Sequence, residues 1–270
     1  MTVDELKSQW KNGAATLNGW LSIGNPFTAE IMAGAGYDSL TIDWQHGALD
    51  YGDLLPMLQA STCKPTVPFV RVPWLDAGAV MKALDAGAMG VICPMINTGA
   101  DAAAFASYMR YPPRGQRSFG PTRASIADPS YSVDVNQDVL AFAMIETAQG
   151  VENLEEIAAT EGIDGIYVGP ADLTLGTQQG ALPPGLDRQE DVMIDIIKRI
   201  ADTCHKNGIV AGIHCGTMDY ALRAIEWGFQ MTTVGGDVKF IAATAQASVK
   251  NWRTQTGHSP EKTAPTKSMY

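Results

Sequence analysis

The chain has 270 residues, 46% of them hydrophobic and 18% charged, with a formal net charge of −10 and a pI near 4.8. This composition supplies a large apolar core and excludes a disordered chain. The acidity excludes a general affinity for nucleic acid or anionic membranes, because both reward clustered Lys and Arg, and no apolar stretch reaches the roughly 18 residues of an ordinary membrane span.

The opening "MTVDELKSQWKNG" is amphipathic and acid-bearing, with no basic n-region leading into an apolar h-region, so it is expected to be a helix and not a secretory signal. Apolar runs of strand length then alternate with segments of helical period. The strand candidates are "TLNGWLSI" (the 17–24 region), "YDSLTIDW" (37–44), "TVPFVRV" (66–72), "GVICPMI" (90–96), "LAFAMIE" (140–146), "GIYVG" (165–169), "IVAGIHC" (209–215) and "FQMTTVGG" (229–236). Helical segments such as "DAGAVMKALDAGA" and "EDVMIDIIKRIADTCHKNG" lie between them, and several close on Gly, which supplies a left-handed cap before the next strand. Eight βα units, near-continuously apolar strands and the chain length indicate an α/β fold, a (β/α)8 TIM barrel occupying residues 1–253 as one domain. No G-x-G-x-x-G follows the first strand, which disfavours an open dinucleotide-binding sheet. Two long connections, 111–138 and "LTLGTQQGALPPGLDRQED" after the sixth strand, have lengths associated with function or mobility. The polar, aperiodic stretch within 254–270 reads as a flexible tail. Cys63, Cys93, Cys204 and Cys215 form no C-x-x-C pair and fit reduced thiols in a cytoplasm.

In such a barrel the chemistry sits where strands end and βα loops begin. The polar residues at those ends are Ser22 or Asn25, Asp43 with His46, Arg71, Asn97, Glu146, Asp172, His214 and Asp237, from the first strand to the eighth. Arg71 in "FVRVP" and Glu146 in "AMIET" interrupt apolar strands, and such charges are seldom buried unless paired or bound to an ion. Asp172 could cap the turn that follows it. Alternatively, Glu146 and Asp172 converge from neighbouring strands about 4.8 Å apart, where a divalent cation would relieve their repulsion. Hard oxygen ligands without local Cys or His favour Mg²⁺ or Mn²⁺ over structural zinc. Two protein ligands leave positions that a chelating 2-oxo acid could fill. His46 lies three residues beyond Asp43 in "IDWQHG", where an Asp able to fix its tautomer would suit a general base or a water-positioning group; a structural histidine is the alternative.

The stretches "AGYDSLTIDWQHG", "MIET", "EGIDGIYVGPADL" and "RYPPRGQRS" together resemble the HpcH/HpaI aldolase family of metal-dependent class II pyruvate aldolases, in order from about residue 17 to 252. The resemblance implies a divalent metal (Mg²⁺, Mn²⁺ or Co²⁺) held by Glu146 and Asp172, Arg71 contacting the keto or enolate oxygen, and an Asp43–His46 pair serving proton transfer. It further implies that the Gly169–Pro170–Ala171–Asp172 corner receives the substrate carboxylate through backbone amides and that Trp20 lines the pocket for the aldehyde, where His214 also falls. The implied reaction is reversible cleavage of a 4-hydroxy-2-oxo acid to pyruvate, or hydroxypyruvate, and an aldehyde, by a hexamer built from trimers. Gln45, Met144 and His214 depart from residues common in the family. Arg110, Arg114 and Arg117 of the "RYPPRGQRS" loop could contact substrate or form loop-fixing or inter-subunit ion pairs. No lysine lies on a strand, Lys64 preceding the third and Lys239 following the eighth, which disfavours a Schiff-base mechanism. A citrate-lyase-like or malyl-thioester lyase, and a non-catalytic sensor of metal and oxo acid, are the alternative functions.

Overall fold

The structure, a computed structural model, describes residues 1–258. Eight parallel strands form a closed barrel in sequence order: β1 (Thr16–Leu21), β2 (Ser39–Asp43), β3 (Val67–Arg71), β4 (Gly90–Cys93), β5 (Leu140–Ile145), β6 (Gly165–Val168), β7 (Val210–Cys215) and β8 (Met231–Val234), with β8 closing on β1. All eight lie within or beside the expected runs. Each is nearly continuous in apolar residues because both of its faces are covered. Leu40, Ile42, Val70, Val91, Ile166 and Ile213 pack outward beneath the helices. Alternate residues, among them Trp20, Phe69, Ile92, Phe142, Met144, Tyr167 and Met231, fill the interior.

Two glycines make that interior possible. A Cβ on Gly90 would collide with the Phe69 ring, and one on Gly165 with the Phe142 ring. A missing side chain on one strand thus accommodates an aromatic on its neighbour. The N-terminal helix (Val3–Lys11) begins with a capping box of Thr2 and Glu5. It buries Val3, Leu6 and Trp10 against the amino end of the barrel, Trp10 lying 5.9 Å from the Phe142 ring and donating Nε1–H to Thr16 Oγ1 at 2.9 Å. Burying side chains of this kind contributes about 1.5–3 kcal/mol each, so the helix closes the floor and leaves the carboxyl ends of the strands as the open mouth.

Two boundaries differ from the sequence reading. A helix, Pro170–Gln178, covers the first residues of what reads as a long loop after β6. Pro170 stands at its first position, where a missing N–H costs nothing, and Leu173 and Thr174 are buried. The last helix (Asp237–Gln255) runs two residues beyond 253. Residues 259–270 of the expected tail lie outside the described residues. Among those described, no helix is long and apolar enough to cross a membrane.

Candidate active site

Asp43 ends β2, Arg71 ends β3, and the register sets them directly beside one another. Arg71 Nε donates to Asp43 Oδ1 at 2.8 Å and Nη2 donates to Oδ2 at 2.7 Å. Asp43 also accepts from Trp20 Nε1 at 3.2 Å and from the backbone N–H of His46 at 3.2 Å. Burial alone would raise its pKa, but the Arg71 guanidinium and these donors hold the carboxyl below the usual range. The arginine carbon lies 4.9 Å from the centroid of the Trp20 ring, which forms part of its apolar seat. Nη1 makes no intramolecular hydrogen bond among the described residues and remains a donor for a ligand.

Glu146 follows β5 and is 3% exposed. Its Oε1 accepts from the backbone N–H of Met95 at 2.7 Å, and Met95 holds a left-handed φ of 57° to aim that group. A non-glycine residue in this region is strained, and such strain concentrates at functional sites. Burial pushes the Glu146 carboxyl up to about 7, and the Asp172 carboxylate pushes in the same direction. Oε2 faces Gly169, where an added Cβ would stand 3.1 Å away and would also strike Met144 Cε. Asp172 sits in the first turn of the Pro170–Gln178 helix, exposed, and that helix has no side-chain cap. The two acids thus interact, and the Arg71 guanidinium, its fork engaged by Asp43, offsets the Glu146 charge only in part. Hard, anionic oxygens of this kind fit a divalent cation. Among the described residues no group of three or more His, Cys, Asp or Glu is placed to form a metal cage.

The remaining expected residues divide. His46 is exposed at the mouth, and its link to Asp43 runs through the backbone N–H; the ring is not held by the carboxylate. This differs from the expected tautomer-fixing contact, because both Asp43 oxygens face Arg71 and Trp20. The neighbouring Gln45 has its Oε1 buried without a partner. The backbone amides of Ala171 and Asp172 lie in the first helical turn, where N–H groups lack intrahelical acceptors and favour anions. Trp20 is buried in the interior, edge-on to His214 with ring centroids 4.8 Å apart. Burial and the nearby Arg71 lower the His214 pKa to about 4.

Other strand-end residues are consumed locally. Asn25 caps the helix after β1. Asn97 Nδ2 donates to Met95 O at 3.0 Å, and Asp237 accepts from the backbone of Ser22 and Ile23 at 2.9 and 3.0 Å. Arg110 pairs with Asp164 at 2.9 Å and Arg117 with Asp85 at 2.7 Å, so both fix loops. The sequence reading missed Asn18, Tyr167 and Thr233, which line the interior below the mouth. Their period-two spacing with Trp20, Gly169 and Gly235 was the available signal.

These features define the class: a (β/α)8 barrel whose charged centre stands at the carboxyl ends of its strands, where enzymes of this fold work. Residues 18–244 match the model of the HpcH/HpaI aldolase/citrate lyase family, and the chain belongs to that family. It is 36% identical over 252 residues to a hydroxypyruvate/pyruvate aldolase of Rhizorhabdus wittichii, covering 93% of this chain and 99% of the relative. It is 29% identical over 256 residues to a 4-hydroxy-2-oxo-heptane-1,7-dioate aldolase of Escherichia coli, covering 93% and 96%. Among solved structures, a HpcH/HpaI aldolase/citrate lyase family protein of Burkholderia cenocepacia J2315 superposes with a TM-score of 0.85 at 31% identity, covering 92% of this chain and 99% of that one.

Proposed function

We propose that this protein is a class II pyruvate aldolase, an enzyme that reversibly cleaves 4-hydroxy-2-oxo acids to pyruvate, or hydroxypyruvate, and an aldehyde. The observation that carries the reading is the Glu146–Asp172 pair beside the Arg71–Asp43 fork. The aldolase names of full-length relatives support it. Glu146 and Asp172 would hold Mg²⁺, Mn²⁺ or Co²⁺, which supplies Lewis-acid stabilisation of charge on the 2-oxo oxygen. No strand carries a lysine, and Lys239 donates its Nζ to Gly216 O, so a Schiff-base route has no ready amine at the mouth.

The chain's own groups carry the remaining work. The amides of Ala171 and Asp172 at the Gly169–Pro170 corner bind the substrate carboxylate. Arg71, clamped by Asp43, directs Nη1 at the 2-oxo oxygen, which gains negative charge as the C3–C4 bond breaks. One fixed donor of this type is worth about 2.7–4 kcal/mol. His46 takes the 4-hydroxyl proton, the C3–C4 electron pair moves into the C2–C3 bond of the enolate, and C4 leaves as the aldehyde. A proton returned to C3 completes pyruvate. Trp20 and His214, packed edge-on to one another, wall the aldehyde side.

Two broader features belong to the same reading. The last helix exposes Phe240, Ile241, Val249 and Trp252, a surface suited to burial in a homo-oligomer such as the hexamer the family resemblance implies. The four free cysteines, three of them buried, fit a cytoplasmic enzyme.

Purified protein incubated with a 4-hydroxy-2-oxo acid should release pyruvate stoichiometrically with the aldehyde, and coenzyme A thioesters should leave the rate unchanged. Cleavage of a malyl or citryl thioester in preference to the oxo acid would replace this reading with a thioester lyase.

A further inference from the structure

Two loops of the mouth, one after β4 and one after β5, are bound to each other. β4 ends at Cys93, and the chain turns at Met95 with a φ of 57°. That left-handed turn sends the Met95 N–H to Glu146 Oε1 at 2.7 Å, while the Met95 carbonyl accepts from Asn97 Nδ2 at 3.0 Å. Asn97 Oδ1 accepts in turn from the hydroxyl of Thr147, the residue that follows Glu146. The backbone of Asn97 is engaged as well, its N–H donating to Asp101 Oδ2 at 3.2 Å and its carbonyl accepting from Asn153 Nδ2 at 2.8 Å. A Cβ on Gly150 would stand 3.0 Å from Ile96 O, so a glycine accommodates the close approach of the two loops.

Donors and acceptors along this clip match in one arrangement. A carbonyl oxygen can only accept, so the Asn97 amide turns Nδ2 toward Met95 and Oδ1 toward Thr147; the flipped amide would set two acceptors face to face. Thr147 gives its one hydroxyl proton to Oδ1, and its oxygen accepts from the Gly150 N–H at 2.9 Å. A non-glycine residue in the left-handed region persists where its surroundings over-determine it. Asn97, with its N–H, carbonyl and both amide atoms all bonded, supplies that constraint. The effect reaches Glu146. Its Oε1 is held by the Met95 N–H, which leaves Oε2, on the Gly169 side, without a hydrogen-bond partner among the described residues and available to a ligand.

We propose that Asn97 and Thr147 hold the Met95 turn and through it fix Glu146 with Oε2 presented to a divalent cation, so that residues outside the ligand set determine how tightly the ion is held. This rests on the reading of Glu146 as a ligand. Met95, Asn97 and Thr147 are positioning residues that act through Glu146. A carboxylate already fixed in its binding conformation has less freedom to lose when the ion arrives, and partners of this kind are worth about 10–100-fold in metal affinity.

The test is the Mn²⁺ affinity of chelator-stripped protein without substrate, read from the electron paramagnetic resonance signal of the free ion. It should fall about 10–100-fold in Asn97→Leu and in Thr147→Val, whereas Thr147→Ser, which keeps the hydroxyl, should bind like wild type. The two Thr147 variants make the same comparison if Asn97→Leu does not fold. Hydrogen exchange of protein labelled with ¹⁵N-methionine follows the Met95 amide with no ion present, the signal missing from Met95→Gly identifying it. That amide should be protected in wild type and exchange faster in Asn97→Leu. Glycine adopts a left-handed φ freely, so Met95→Gly added to Asn97→Leu should recover part of the lost affinity, which general damage to the fold would not allow. Raising Mn²⁺ should bring the kcat of Asn97→Leu back toward wild type. Unchanged affinity in Asn97→Leu and Thr147→Val, or a Met95 amide as protected in Asn97→Leu as in wild type, overturns the proposal. Wild type that binds no Mn²⁺ overturns the ligand reading of Glu146, and the exchange measurement still decides whether Asn97 holds the Met95 turn.

Discussion

Arg71 closes its fork on Asp43, Nε to Oδ1 at 2.8 Å and Nη2 to Oδ2 at 2.7 Å, within the wall of the barrel. Both residues are nearly fully buried, at 8% and 3% exposure, so breaking the pair strands a charge. Asp43→Asn should destabilise the fold by about 3–5 kcal/mol in urea denaturation. An apolar double replacement, Asp43→Leu with Arg71→Met, should cost less than the sum of the two single changes. Strict additivity would show that the fork is not the stabilising contact. In kinetics, Arg71→Met should lower kcat by roughly 10²–10³, and that loss should persist in the double variant even as stability recovers.

Glu146 makes stability depend on pH in the cation-free protein. The folded carboxyl keeps its proton to about 7, whereas the ordinary value is 4.5. The folded state therefore binds more protons across that interval, and its contribution to stability falls as pH rises through it. Denaturation midpoints in chelator should decline between about pH 5 and about pH 8 by more in wild type than in Glu146→Gln. Identical slopes would mean that Glu146 titrates normally.

His46→Ala should reduce aldol cleavage by roughly 10²–10⁴ while leaving Mn²⁺ affinity within a factor of about two to three, as expected if the ring moves protons and is not a ligand. Loss of the ion together with the side chain would reassign it. Because the ring is not held by Asp43, Asp43→Asn should act through Arg71 and leave the acidic limb of the pH–rate profile, the side that reports a general base, in place.

Much of the barrel could be read in advance because burial on both faces leaves each strand as an apolar run. Arg71 and Glu146 stood out against that background as charges in apolar surroundings. The pairing of Arg71 with Asp43 did not, because it depends on the register between two strands 28 residues apart at these positions. The same proximity drew the Asp43 carboxylate away from the His46 ring, which spacing along the chain could not reveal. Tyr167 and Thr233 resemble ordinary strand formers, and only closure of β8 onto β1 brings Asn18 to them. The helix after Gly169 was obscured by its own composition, since "LTLGTQQG" carries two glycines and little amphipathic pattern.

Light scattering at micromolar concentration should find a homo-oligomer. The last helix has only Asp237 buried along Asp237–Gln255 and exposes Trp252 at 59%, more apolar surface than an isolated helix tolerates. Ile241→Glu with Trp252→Glu should shift the population toward smaller species. A stable wild-type monomer would remove the assembly role assigned to this helix.

The most direct measurement is the rate of pyruvate release from a 4-hydroxy-2-oxo acid by protein stripped with chelator and then titrated with Mg²⁺, Mn²⁺ or Co²⁺. The account predicts loss of cleavage on stripping and its return with added ion, with no return in Glu146→Gln or Asp172→Asn at ion concentrations that saturate wild type. Full activity in excess chelator, or irreversible trapping of the substrate on the protein by borohydride, would contradict a carboxylate-held cation as the centre of the reaction.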